Sequence, residues 1–344
     1  MNEQQQLMAS VTRRILSDHC STELLDQAEQ GQYPEALWTL LEEQGLTTLG
    51  GFEALGGGGG DFCDVLVVLR EAGRYALPLP LAETLLGVSV LSDLGVALSD
   101  GPLVMASGQF SLDADHRLVG RGAKIRFGRD AKTLLVVAER DDQTVLCQVL
   151  ASQVEIEPGV NLAGEPSDAV VIDQKIETSN QIVLSGEGLQ AIEMRGAAMR
   201  SVMMAGALEE ALSLTVGYAL ERSQFGKPIA KFQAVQQQLA VFATQVAAST
   251  RAAETLMVTQ PLNLMDVAIA KARIGEAAGL SAEIAHQVHG AIGYTKDHRL
   301  NHLTRRLWSW RDEFGHEGYW QERLGRELLA DTKTDLWQQI TAMG

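Results

Sequence analysis

Arg222-Ser223-Gln224-Phe225-Gly226-Lys227-Pro228 separates two long apolar helical stretches, and its reading decides the fold. Seven residues hold a cation, an aromatic ring and a helix-breaking turn. The Arg guanidinium offers a bidentate fork for a pyrophosphate. The Phe offers a face for stacking, and Gly-Lys-Pro ends one helix while aiming the next. The same letters also fit plain dipole complementation at a helix stop.

Working outward, apolar residues recur at helical spacing over 191–222, 232–258 and 262–289, with shorter pieces after Asn301. Long periodic segments joined by short turns predict an antiparallel helical bundle. Met194, Met199, Met203 and Met204 read as adaptable core filler within it.

Upstream the pattern changes to short β-type runs between about Pro102 and Leu184: 103–105, 124–127, 134–138, 145–149 and 170–172. Turn residues such as Asp113, Asp115, Gly120, Gly128 and Asp141-Asp142 separate them, and Glu165-Pro166-Ser167-Asp168 reads as a turn. Residues 6–101 read as helices. Trp38, Leu40, Leu41 and Leu46 form an apolar stripe, and Gly56 to Gly60 read as a flexible connector without the Lys-Ser/Thr of a phosphate loop. Asp61 caps the next helix, and Leu77-Pro78-Leu79-Pro80 is an extended hinge. The fold class is therefore mostly α with a central small β-domain: a helical domain over 1–101, a β-barrel or sandwich middle domain over 102–185 and a C-terminal four-helix bundle over 186–344.

Composition narrows function. A formal net charge of −16 argues against nucleic acid and against an anionic membrane surface, which both need a basic face. Cys20, Cys63 and Cys147 are odd in number, far apart and without metal-ligand spacing, so reduced thiols and no metal are expected. His289, His298, His302 and His316 are too loosely spaced for a metal site. The start of the chain has no basic and apolar leader, and the apolar runs are shorter than a membrane span, so a cytoplasmic location is expected.

A second cluster, Gln287-Val288-His289-Gly290-Ala291-Ile292-Gly293-Tyr294-Thr295, stands where the last long helix runs into glycines. With the Arg222 corner it resembles the acyl-CoA dehydrogenase family, whose R-x-Q-F-G-K-P and Q-x-x-G-G-x-G-Y-T segments hold the adenosine and pyrophosphate of FAD across a subunit interface. The resemblance covers nearly the whole chain. It implies FAD-dependent α,β-desaturation of an acyl-CoA thioester, in fatty acid or steroid catabolism. Electron-transfer flavoprotein is the implied electron acceptor, and a homo- or hetero-tetramer the implied assembly. The implied cofactor contacts are Arg222, Gln224, Phe225, Gln287, Gly290 and Ala291, the last standing where the family usually has Gly.

The chemistry requires a base for the α proton and polarisation of the thioester oxygen. Relatives take the base, a Glu, from one of two places. Counted without gaps from Gln287, one falls on Phe314; counted back from Arg222, the other falls on Gly196. Neither is acidic. Glu313 lies one residue off register and is the candidate base. The Thr-Glu-Pro-x-Ala-Gly-Ser-Asp loop that holds the flavin ring in relatives is missing from 103–120. These departures resemble the reduced subunits of mixed assemblies such as those acting on steroid side chains, where two related chains share each active site. Arg305-Arg306-Leu307-Trp308-Ser309-Trp310-Arg311 reads equally as an interface and as a helix packed on its own bundle. A self-sufficient enzyme using Glu313 and a non-catalytic structural subunit are the alternatives.

Overall fold

The structure, a computed structural model, describes residues 1–295, 298–330, 335 and 337; the last stretch of the expected 186–344 module runs beyond them. The chain forms two interleaved compact units, one of 1–22, 66–77 and 194–344, the other of 23–65 and 78–193.

The helices of the N-terminal third are α1 (Glu3–His19), α2 (Thr22–Glu29), α3 (Glu35–Glu43), α4 (Phe62–Arg74) and α5 (Leu81–Asp93). Asp61 caps α4 as expected: its Oδ1 accepts from the Asp64 backbone N–H at 3.0 Å, and Asp64 Oδ2 accepts in return from that of Asp61. The glycine run before it is not a flexible connector. The Gly57, Gly58 and Gly59 N–H groups donate to the carbonyls of Phe52, Thr48 and Gly51, and Gly50 N–H donates to Gly59. A Cβ on Gly57 would lie 2.2 Å from the Gly51 carbonyl carbon, so the two strands of this loop touch backbone to backbone.

Eight strands form the sheet of the second unit: β1 (Leu103–Ala106), β2 (Gln109–Leu112), β3 (Arg117–Arg126), β4 (Thr133–Arg140), β5 (Gln143–Leu150), β6 (Glu155–Glu157), β7 (Ser167–Lys175) and β8 (Gln181–Leu184). Their order is β6-β7-β3-β2-β4-β5-β8, antiparallel apart from β1 and β2 against β4. Phe110, Leu118, Ile125, Phe127, Val136, Val170 and Ile172 form its core, with Phe110 and Leu112 alternating with exposed neighbours. Glu165 to Asp168 is more than a turn. Ser167 and Asp168 open β7, and the buried Asp168 carboxylate accepts from the Arg129 side chain at 2.9 Å and from the Gly159 N–H at 3.0 Å. Gly120 lies inside β3, where a Cβ would meet the Gln109 carbonyl oxygen.

The first unit carries α6 (Gly186–Glu221, of which residues from 194 belong here), a two-residue-stranded hairpin of β9 (Ser223–Gln224) and β10 (Lys227–Pro228), then α7 (Gln233–Leu256), α8 (Leu264–His289), α9 (Arg299–Asp312) and α10 (Glu317–Ala330). α8 packs against α7, α9 and α10. Met199, Met203 and Met204 are buried core, as is Trp310. α4 crosses α6 through paired glycines: a Cβ on Gly73 would lie 2.0 Å from Met203 O, and one on Gly206 2.0 Å from Arg70 O. Glu209 beside the crossing accepts from Arg70, from Arg74 and, at 2.9 Å, from the Thr250 hydroxyl on α7. Backbone contact and a shared carboxylate hold three helices at one place. Among the described residues no helix is long and apolar enough to cross a membrane.

Candidate functional site

The Arg222 corner folds as a two-residue hairpin. Gln224 pairs with Lys227 and Ser223 with Pro228, and the Ile229 N–H donates to Arg222 O at 2.8 Å. The turn residues Phe225 and Gly226 both have positive φ, +51° and +78°, the combination that a right-handed hairpin twist requires. Side chains alternate across such a ribbon, so Arg222, Gln224 and Lys227 share one face. Phe225 sits at the tip, 92% exposed, with its ring edge-on to Phe232 at 6.2 Å; the Lys227 ammonium lies 4.4 Å above that same Phe232 ring.

The second cluster lies at the end of α8. Gln287, Gly290 and Ala291 are exposed, and a Cβ on Gly290 (φ +64°) would meet no other atom of the described residues within 4 Å. Among the described residues, no hydrogen bond or ion pair engages the side chains of Arg222, Gln224 or Gln287. One cation, two amides, one ring and an open glycine backbone are therefore free for a ligand. That donor set fits a dinucleotide tail: the guanidinium and amides can donate to phosphate and ribose oxygens, and the ring can stack on a base.

An aromatic bracket joins the two clusters, and sequence reasoning gave its members no role. Tyr218, one helical turn before Arg222, stacks on His289, two residues after Gln287, with centroids 4.5 Å apart and planes at 22°. His289 Nδ1 donates to Ala285 O at 2.8 Å, which leaves Nε2 a buried acceptor without a partner among the described residues. His298 meets it edge-on at 4.7 Å. Alongside, His286 stacks between Tyr294 (4.2 Å) and Trp308 (5.8 Å) and donates from Nε2 to Thr304 Oγ1, whose own proton goes to Leu300 O. Burial pushes both imidazoles below their ordinary range, with His298 and His286 adding to the effect at His289. The usable signal was positional: both rings that meet lie in the last turn of a long helix beside a candidate contact.

Glu313 caps the C-terminal end of α9. Its Oε2 accepts from Arg200 Nε of α6 at 2.6 Å, and the Arg200 side chain is 3% exposed. Lys271 of α8 is buried against the same loop, its Nζ donating to Arg311 O and Gly315 O at 2.7 Å each. Burial pulls the Lys271 ammonium down to about 8, Glu313 opposing and Arg200 reinforcing. Phe314 (φ +54°) and Gly196, the two positions reached by counting for a base, meet each other: a Cβ on Gly196 would lie 2.3 Å from the Phe314 ring.

Residues 2–96 match the family model for the acyl-CoA dehydrogenase N-terminal domain, and residues 188–328 that for the acyl-CoA dehydrogenase C-terminal domain. The chain belongs to the acyl-CoA dehydrogenase family, a family of oxidoreductases. Among curated proteins, acyl-CoA dehydrogenase IpdE2 of Mycobacterium tuberculosis is 28% identical over a 350-residue alignment spanning 98% of each chain. Acyl-CoA dehydrogenase FadE27 of the same organism is 28% identical over 88% of this chain and 90% of its own. Among solved structures, the ChsE4-ChsE5 complex from Mycobacterium tuberculosis superposes with a TM-score of 0.87 at 23% identity, covering 97% of this chain and 99% of that one. Glutaryl-coenzyme A dehydrogenase in its glutaryl-CoA complex gives 0.85 at 20% identity and 97% coverage of both. The structural likenesses establish the shared helix, sheet and bundle fold.

Proposed function

We propose that this chain is a cofactor-presenting subunit of an FAD-dependent acyl-CoA dehydrogenase, sharing its site with a second subunit that carries the base. The observation that carries this reading is a contrast within one chain. The residues suited to a dinucleotide tail are exposed and unengaged, while neither position reached by register for a catalytic acid holds one. FAD bound at such a shared site supplies the hydride acceptor for α,β-desaturation of an acyl-CoA thioester. Arg222 and Gln224 donate to its phosphates from one face of the hairpin. Phe225 would offer its ring to the adenine, and Gln287 with the Gly290-Ala291 backbone at the end of α8 would hold the tail. Glu313, held by Arg200, orients the loop that follows α9 and does not abstract a proton. The wider proposal includes the three-part division at 101 and 185, a tetramer with a related chain, and electron-transfer flavoprotein as acceptor. The mixed ChsE4-ChsE5 assembly among the structural neighbours supports the heteromeric form.

The test is the visible spectrum of the purified chain alone and beside a co-expressed partner. A colourless chain that turns yellow only with the partner supports the reading. Flavin that bleaches on adding an acyl-CoA ester to the lone chain overturns it in favour of a self-sufficient enzyme. In the flavin-loaded protein, Arg222→Ala should weaken FAD retention by about 1.5–3 kcal/mol for each charge-assisted bond lost.

A further inference from the structure

We infer that the loop Glu313-Phe314-Gly315 is a fixed plug, with the Phe314 ring seated on the bare α6 backbone at Gly196. The functional part of this inference, that the plug shuts this subunit's own catalytic position, rests on the proposed reading of the chain; the plug itself does not.

Four observations carry it. The ring lies so close to α6 that a Cβ on Gly196 would come within 2.3 Å of Cδ1 and Cε1 and 2.6 Å of Cζ. Real Cβ contacts are never that short, so any side chain at 196 and the ring at 314 exclude each other. Phe314 has φ +54°, a conformation that bulky residues avoid and keep only where the surroundings over-determine it. The loop is fastened by three helices. Arg200 of α6 pairs with Glu313 at 2.6 Å, Lys271 of α8 donates to the carbonyls of Arg311 and Gly315, and the Trp320 indole of α10 donates to Phe314 O at 2.8 Å. Gly315, at φ +89°, lies under the Tyr319 ring, where a Cβ would sit 2.5 Å from Cδ1.

A gate would leave such a loop free to leave its seat. Here each residue from 313 to 315 is tied to a different helix: Glu313 to α6, Phe314 O to α10 and Gly315 O to α8. An acid on α6 at 196 is ruled out by the ring, and an acid at 314 is replaced by it. The two departures from the family pattern are thus one steric event: the ring at 314 fills the space that a side chain at 196 would take.

The experiment is a double-mutant cycle on the full chain, read by thermal unfolding, with flavin content of the partner-assembled protein as a second readout. Gly196→Ala should lower Tm by about 1–4 °C, the shift that an overpacking cost of about 1–3 kcal/mol gives in a chain of this length. Combining it with Phe314→Ala should recover most of that loss, although Phe314→Ala alone also lowers Tm. If Gly196→Ala fails to fold, recovery of folded protein by the double variant carries the same information. Gly196→Ala with wild-type Tm, or strictly additive losses in the double variant, overturns the plug. In the assembled protein Phe314→Ala should keep its flavin and its turnover. A tenfold or greater fall in turnover with flavin retained would make Phe314 part of a working site and overturn the shut position. Arg222→Ala, run in parallel, separates the two claims: unchanged flavin content there defeats the FAD reading and leaves the Tm cycle to judge the plug.

Discussion

Replacing Gly206 by Ala sets two effects of opposite sign against each other on one helix. Helix propensity alone favours Ala over Gly in a helix interior by about 1 kcal/mol. Geometry opposes it. The new methyl carbon would lie 2.0 Å from the carbonyl oxygen of Arg70 and 3.0 Å from Arg74 N. Both obstacles are α4 backbone, which cannot swing aside as the end of a side chain can. α4 and α6 must therefore separate by more than 1 Å, judged against an ordinary carbon–oxygen contact. Separation also strains the bonds from Arg70 and Arg74 to Glu209, and that carboxylate is largely buried. Overpacking of this kind costs about 1–3 kcal/mol, toward the upper end against rigid backbone, so after the helix-propensity gain the net expectation is a loss of about 1–2 kcal/mol. Gly217 on the same helix is the control: beyond its own helix backbone, no atom of the described residues lies within 4 Å of a Cβ there, and Ala should stabilise by about 0.5–1 kcal/mol. Urea unfolding at constant m measures both. A Gly206→Ala chain as stable as wild type, or Gly206 and Gly217 variants shifting in the same direction, would refute the reasoning.

Two further predictions concern pH. Lys271 has a folded pKa of about 8 against an ordinary 10.5, so between those values the unfolded chain binds more protons and stability rises with pH, by up to about 3 kcal/mol. The stability advantage of wild type over Lys271→Met should grow from pH 8 to 10.5 in denaturant titrations; a flat or falling difference contradicts the buried ammonium. His286 and His289 are likewise shifted downward, so the unfolded chain takes up protons first as pH falls below 6.5 and stability drops there. His289→Phe, which keeps a ring against Tyr218, should reduce the acid loss, and an unchanged acid profile would remove His289 from it.

The fold was legible where patterns were long. Periodicity over 191–222, 232–258 and 262–289 corresponds to α6, α7 and α8 within a few residues. β2, β6 and β8 escaped notice because each holds only three or four residues and opens on Gln or Glu, whereas the equally short β1 is apolar throughout. The glycine run misled for a different reason. Composition records that Gly57 is flexible as a residue type, not that the Gly51 backbone lies where its Cβ would be. At the site, counting residues located Gly196 and Phe314 separately, but no one-dimensional count can say that they touch. Lys271, Tyr218 and His289 were hidden similarly, since each matters through a neighbour remote in sequence.

The hairpin tip holds a strained aromatic. Two-residue turns of this hand favour Asn or Gly at their first central position, and here it is Phe225, at φ +51°. Placing an aromatic there costs about 1–2 kcal/mol of backbone strain. The ring is 92% exposed, so burial within the chain returns almost nothing against that cost. Flexibility is not the compensation, because Phe232 stands edge-on to the ring and Lys227 covers Phe232 from the opposite strand. The rest of the fold carries that strain, as it does at the exposed Lys124 and Asp141, and the ring is held in place. Ordering costs already met before binding raise affinity for whatever stacks on the ring. The backbone angle of Phe225 thus presents the ring in the way the proposed role of this corner requires.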